Sequence, residues 1–235
     1  MLRALKELEG YSIEATDGTI GKVVNFLFDD DRWVVRYLVV ETGGFLDGRR
    51  VLISPISLGE IDWPQRSIKV ALTVELVRSS PSIDSNLPVS RQHEAAFIEH
   101  YGYGQYWGYS GVWGMGPYPQ LLMGGNVPPP TPTPSPKGDP NLRSVDAVAG
   151  YHVEGNDDSI GHIADFLVDD RSWEIIDLVI DTRNWWFGKH VMVAARFANY
   201  IDAVGRKLYV KLSRDAIKAC PEWKPEVHPQ PVTHA

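Results

Sequence analysis

An internal repeat constrains this chain more than any other feature. Residues 2–81 align with residues 142–221 at a constant offset of 140, without a gap, and 24 of the 80 aligned positions are identical. The anchors include Gly10-Tyr11 with Gly150-Tyr151, Ile20-Gly21 with Ile160-Gly161, and Phe26-Leu27 with Phe166-Leu167. Further pairs are Asp29-Asp30 with Asp169-Asp170, Trp33 with Trp173, Ile61-Asp62 with Ile201-Asp202, and Pro81 with Pro221. Each copy carries 10 basic and 12 acidic residues, so even the charge is matched. Similarity sustained at one period marks a structural unit built more than once. The chain is a tandem duplication of one domain, and two modest cores are expected rather than one large one.

Within each copy the pattern is β. Tyr11–Ala15 and Ile20–Asp29 flank Thr16-Asp17-Gly18-Thr19, where Asp-Gly is a strong hairpin signal. An Asp29-Asp30-Asp31-Arg32 turn leads into Trp33–Val40, rich in β-branched and aromatic residues, and Val51–Ile53 and Ser67–Ala71 are further short strands. Thr73 and Ser213 sit where an N-cap would start a helix of one or two turns, ending before Pro81 and Pro221. Short strands with turns this close together predict a small closed or nearly closed barrel.

The intervening segment is of another kind. Ser90 is positioned to cap a helix over Arg91–Tyr101, with Phe97 and Tyr101 four apart on one face. From Tyr101 to Tyr118 seven residues are aromatic and six are glycine; from Pro128 to Pro140 seven of 13 are proline, a stiff extended spacer. The expected organisation is a first repeat over 1–81, a linker over 82–141, a second repeat over 142–221 and a tail over 222–235, with Pro225 and Pro229 in the tail. The fold class is mainly β: two small barrels in tandem, each with a short C-terminal helix.

Composition narrows the function. Lys+Arg 23 against Asp+Glu 30 gives a net charge of -7, with no basic patch of the kind that neutralises phosphates, so no nucleic-acid partner is expected. No run approaches 18 apolar residues, so no inserted membrane helix is expected, although peripheral docking remains open. The first residues, Met1–Glu7, lack an apolar signal core, and the lone Cys220 allows neither an internal disulfide nor a multi-thiolate zinc site. A cytoplasmic setting is the expectation.

The string Gly10-Tyr11-x-Ile13-x-Ala15-x-Asp17-Gly18-x-Ile20-Gly21-x-Val23, with Phe26–Asp30 and Trp33, resembles the PRC-barrel family. So does Tyr37-Leu38-Val39-Val40 followed by Val51–Pro55. That family includes the cytoplasmic domain of the photosynthetic reaction-centre H subunit and the C-terminal domain of a ribosome-maturation factor. The resemblance implies a small β-barrel acting as a non-catalytic interaction or assembly module, with a protein partner or self-association. It also implies two alternatives, a soluble regulator docking on a photosynthetic or other membrane complex and a ribosome-assembly adaptor. The second copy departs at Asp158, in place of Gly18, and at Ala195, in place of Pro55. Asn156 and Asp157 still support a tight turn there.

No residue set demands chemistry. Asp29-Asp30-Asp31 and Asp169-Asp170 fall where a hairpin must turn, and Asp favours turns by bonding its own backbone. His93 and His100 are seven apart, about 10 Å along a helix axis, too far for one ion to join. Gly102-x-Gly104 has no lysine of a phosphate loop after it. Neither an enzyme nor a cofactor is expected. The residues singled out as partner contacts are Trp185, Trp186 and Phe187 in the second copy, and Tyr106, Trp107 and Trp113 in the linker, because large rings dominate contact surfaces. The competing reading of the linker aromatics is that they fold back over the barrels. Gly21, Gly161, Trp33 and Trp173 are expected to serve the barrel itself.

Overall fold

A computed structural model describes residues 1–43, 48–81, 83, 91–104, 106, 111–114, 116–119, 142–182 and 189–225. The first copy runs β1 (Leu2–Ala4), α1 (Leu5–Leu8), β2 (Ser12–Glu14), β3 (Thr19–Asp29), β4 (Val34–Thr42), β5 (Arg50–Ile53), β6 (Leu58–Asp62), β7 (Ser67–Val70) and α2 (Val74–Arg78). Helix α3 (Arg91–Tyr101) follows. The second copy repeats the order: β8 (Leu142–Ser144), α4 (Val145–Val148), β9 (His152–Glu154), β10 (Ser159–Asp169), β11 (Ile175–Asp181), β12 (His190–Ala194), β13 (Ala198–Asp202), β14 (Lys207–Val210) and α5 (Arg214–Lys218). Two barrel-like, seven-stranded sheets result, ordered β5-β4-β3-β2-β7-β6 and β12-β11-β10-β9-β14-β13. In each, a parallel pairing, β2 with β7 and β9 with β14, joins the two hairpin systems.

The seventh strand of each sheet comes from the other copy. β1 pairs with β10 through Leu2↔Asp169 and Ala4↔Leu167, and β8 pairs with β3. The cause is strand length. β9 covers only the start of β10, from Ser159 to His162, and leaves the edge at Leu167–Asp169 bare. An uncovered edge is a template for pairing, and a three-residue strand fills it. The compact units therefore cut across the repeats: one holds Met1–Glu7, Ser144–Asp170 and Glu174–Ala235, the other Leu8–Arg143 and Arg171–Trp173. We call these the second-repeat and first-repeat units.

β3 and β10 bend at the same places, between Val23 and Asn25 and between Ile163 and Asp165. A bulge there inserts an unpaired residue and kinks the strand. The side chain at the bulge holds it: Asn25 Oδ1 accepts from the Phe26 amide at 2.7 Å, and Asp165 Oδ1 from the Phe166 amide at 2.8 Å. Just upstream, a Cβ on Gly21 would lie 2.0 Å from the Glu41 carbonyl oxygen, and one on Gly161 would lie 2.0 Å from that of Asp181. Glycine is what lets the long strand and its neighbour approach.

The first hairpins close alike, Ala15 N to Gly18 O at 2.8 Å and Gly155 N to Asp158 O at 2.9 Å. Neither Gly18 nor Asp158 has a positive φ, so the exchange of glycine for aspartate leaves the turn intact. The shared aspartate also anchors the short helices. Asp17 Oδ1 accepts from Val74 N at 2.8 Å and Asp157 Oδ1 from Arg214 N at 2.9 Å, each at the first residue of a helix. Thr73 and Ser213 cap those same helices through their hydroxyls. In the next turn Asp29 Oδ1 accepts from the amides of Asp31 and Arg32, at 3.0 and 3.1 Å. Trp33 and Trp173 then take left-handed backbone angles, φ 52° and 59°, unusual for so large a side chain. Trp33 stacks on Phe28 at 5.6 Å, and buried Trp173 lies 6.5 Å from Phe26 within the first-repeat unit.

Candidate functional site

One sheet face recurs in both units and is treated differently in each. In the first-repeat unit it is built from Tyr37, Val39 and Leu52, with Leu142 from β8, and Val24, Leu27 and Ile83 packed around them. Cross-strand partners point to the same side of a sheet, and the registers Leu27↔Tyr37 and Val39↔Leu52 align these residues as one apolar surface. Helix α3 lies across it. Phe97 is 1% exposed, its ring 6.4 Å from that of Tyr37, and Tyr101 packs against the same cluster.

A polar group completes the cover. Glu94, buried on α3, accepts hydrogen bonds from the Tyr37 hydroxyl at 3.0 Å and from the Tyr106 hydroxyl. Burial, reinforced by the Glu94 charge, pushes the Tyr37 phenol well above its usual range, so it stays a donor. Beside them lies Arg36, whose side chain is wholly buried. It pairs with Asp29 at 3.1 Å and donates to the Val112 carbonyl at 2.6 Å. Its guanidinium lies 3.8 Å from the Tyr106 ring centroid and 5.1 Å from that of Trp113. Trp113 Nε1 donates to the Ser172 carbonyl at 2.7 Å. Tyr106 and Trp113 are thus buried within their own unit, stacked around a charge. Trp107, Trp185, Trp186 and Phe187 lie outside the described residues.

Arg36 was not singled out in the sequence. The available signal was a lone basic residue in the apolar run Trp33–Val40, in a chain whose aromatic stretch has no basic residue of its own.

The second-repeat unit presents the same face without a helix over it among the described residues. Ala4, Leu167 and Val179 form the cluster, with Ala164, Met192 and Trp223 against it. Of these, Ala4, Leu167, Met192 and Trp223 line an open groove of about 330 Å³ with Leu2, Glu7, Glu222 and Lys224. Leu2 is 47% exposed where its counterpart Leu142 is 7% exposed. Trp223 is held in place by its amide, which donates to the His190 carbonyl at 2.8 Å. Asp177 stands where Tyr37 stands in the other copy, paired with Leu167 across the strands. Burial raises its carboxyl above the usual value, while Arg196 opposes the shift. Ile176, 39% exposed, replaces Arg36.

The remaining chemical candidates have structural surroundings. Burial, aided by the Asp177 charge, pushes the Cys220 thiol up, away from thiolate. His100 Nε2 lies 2.7 Å from the Leu76 carbonyl oxygen and joins α3 to α2. The His152 and His162 rings lie 4.4 Å apart on paired strands. Among the described residues no three His, Cys, Asp or Glu side chains converge as metal ligands would, and no helix is long and apolar enough to cross a membrane.

The family model of the PRC-barrel domain matches residues 2–76 and 148–217, most of both copies. The chain belongs to the PRC-barrel family. It is a tandem PRC-barrel protein, and the two matched segments end within the short helices α2 and α5. Helix α3, Tyr106 and Trp113, which cover the first PRC-barrel face, lie outside the match. PRC-barrel domains are generally found in interaction or assembly modules and are generally non-catalytic. A search of the curated proteins finds no match.

Proposed function

We propose that this tandem PRC-barrel protein is a non-catalytic protein-interaction module, with its contact surface on the open sheet face of the second-repeat unit. The observation that carries this reading is the groove lined by Leu2, Ala4, Leu167, Met192 and Trp223. An apolar concavity with an aromatic wall and a polar rim is the composition of a protein-contact surface.

The test is site-specific photo-crosslinking in the native cell. A photoreactive amino acid at Met192 should give a discrete protein adduct. The same group at Val204, 97% exposed on a hairpin turn, should give none. Equal labelling from both positions, or none from Met192, would remove this face as the contact surface.

A further inference from the structure

The duplicated fold carries its own example of what covers this face. In the first-repeat unit the occupant is an amphipathic helix, α3, which sets Phe97 and Tyr101 on the sheet one turn apart and bonds Tyr37 through Glu94. From the equivalence of the two faces, we infer that the second-repeat groove docks an amphipathic helix of a partner protein. That helix presents two aromatic side chains four residues apart and a lysine or arginine three residues before the first of them. The inference rests on the interaction reading above and names its partner class.

The aromatic spacing follows from the shared floor. Leu167, Val179, Met192 and Leu2 occupy the positions of Leu27, Val39, Leu52 and Leu142, and Trp223 lies where Ile83 packs in the other unit. Residues four apart lie on one helix face, so a helix crossing at the α3 position offers two rings to this floor.

The basic residue follows from the charges. Tyr37 donates to Glu94, whereas Asp177 at the same place is an acceptor when ionised. A helix with glutamate there would set carboxylate against carboxylate, whereas lysine or arginine adds to Arg196 in stabilising the ionised Asp177. The rim adds Glu7, Glu222 and Lys224, and Lys189 pairs with Glu222 at 3.6 Å, so the charge that selects the helix is that of Asp177. Tyr37 and Asp177 therefore sort helices by charge, and α3 suits only its own unit.

Other occupants fit less well. The α3 of a second copy is already buried on its own sheet at Phe97, and it carries the wrong charge. Residues 120–141 and 226–235 contain no Phe, Tyr or Trp to supply the anchors, and the rings in 107–110 and 183–188 are two apart or consecutive in sequence rather than four apart.

The probe is a synthetic peptide with the sequence of residues 90–101, stapled between positions 92 and 96 on the side that Ala96 exposes, labelled for fluorescence anisotropy and titrated with the full-length protein. The form carrying Glu94→Lys should bind with a dissociation constant on the order of 10–100 μM, and the parent peptide at least about tenfold more weakly. Met192→Glu in the protein should weaken the Glu94→Lys peptide by a further tenfold or more, with the thermal melt of the variant checked first. Equal binding of both peptides, or binding that Met192→Glu does not move, overturns the inference. No binding overturns it too, and is the result expected if another segment of this chain fills the groove. If Met192→Glu instead converts a dimer into a monomer in sedimentation, the occupant is a second copy. A crosslink at Met192 with no peptide binding would leave the contact surface standing and remove only the helix.

Discussion

The two units share a sheet order, their bulges, the close-contact glycines Gly21 and Gly161 and their helix caps, and differ in what lies on one face. In the first-repeat unit Tyr37, Arg36 and Leu52 are sealed beneath α3, Tyr106 and Trp113. In the second-repeat unit Asp177, Ile176 and Met192 hold those positions, and the face opens into a groove. The difference shows where a duplicated fold is free to diverge. Positions that set backbone geometry are retained because a change there unfolds the sheet. Positions on an outer face change with whatever covers them, so an unmatched face is the place to look for function.

Removing the charge on the sealed face gives the largest expected effect. Arg36→Leu leaves Asp29 without its buried partner and empties the stack beneath Tyr106; a broken buried pair costs about 3–5 kcal/mol. Ile176→Ala, at the equivalent but half-exposed position, should cost under about 1 kcal/mol. Urea denaturation of both variants measures the contrast. Similar losses would show that the two faces are not treated differently.

Uncovering the sealed face comes next. Phe97→Ala should destabilise the protein by about 3 kcal/mol, since the ring is fully buried. It should also raise the binding of a dye specific for exposed apolar surface. An unchanged melt would mean that α3 does not hold the face closed.

A third contrast lies at the bulge. Asn25 of one copy is Asp165 in the other, and burial raises the Asp165 carboxyl to about 6, with Glu7 adding to the shift while the amides of Phe166 and Lys6 and the Lys6 charge oppose it. The folded pKa lies above the unfolded value of about 3.9, so the unfolded state loses its proton first. The stabilising contribution is complete below about pH 4 and is lost as pH rises through about 6, a change of about 2–3 kcal/mol. Asp165→Asn should therefore stabilise the protein at pH 7.5 and make no difference at pH 4. The difference in unfolding free energy between parent and variant, followed from pH 4 to 8, checks this. A flat difference would place Asp165 in contact with water.

Much of the fold was legible because turns and strands announce themselves locally. Asp17, the Asp29 turn, Thr73 and the helix Arg91–Tyr101 could be read from neighbouring residues, and each forms the element expected. The exchange of β1 and β8 was hidden by the repeat itself. Leu2-Arg3 and Leu142-Arg143 are identical, so nothing local says which copy either strand will join. Strand β6 was also missed: Leu58-Gly59-Glu60-Ile61-Asp62 holds a glycine and two acids, and pairing with β7 overrides that weak propensity. The groove was illegible for another reason. It depends on the absence of a covering helix among the described residues, whereas a sequence advertises only the aromatic rings it contains.

The smallest expected effect tests why some glycines were free to change. Gly18→Asp introduces the residue that the second copy carries, at a backbone position without a positive φ, and the new Cβ would meet Val74 Cγ2 at 3.4 Å, an ordinary contact. In the second copy Asp158 also pairs with Arg214 at 2.6 Å; that pair is partly exposed, and its counterpart in the first copy is Val74. An exposed pair is worth about 0–1 kcal/mol, so its absence matters little, and Gly18→Asp should change stability by less than about 0.5 kcal/mol. Gly21→Val, three residues on, drives a side chain into the Glu41 carbonyl and should cost about 3 kcal/mol or unfold the unit. Measured side by side in thermal melts, the two substitutions separate a glycine of the turn from a glycine of the strand contact. A large loss for Gly18→Asp would mean that the first hairpin needs a freedom its backbone angles do not show.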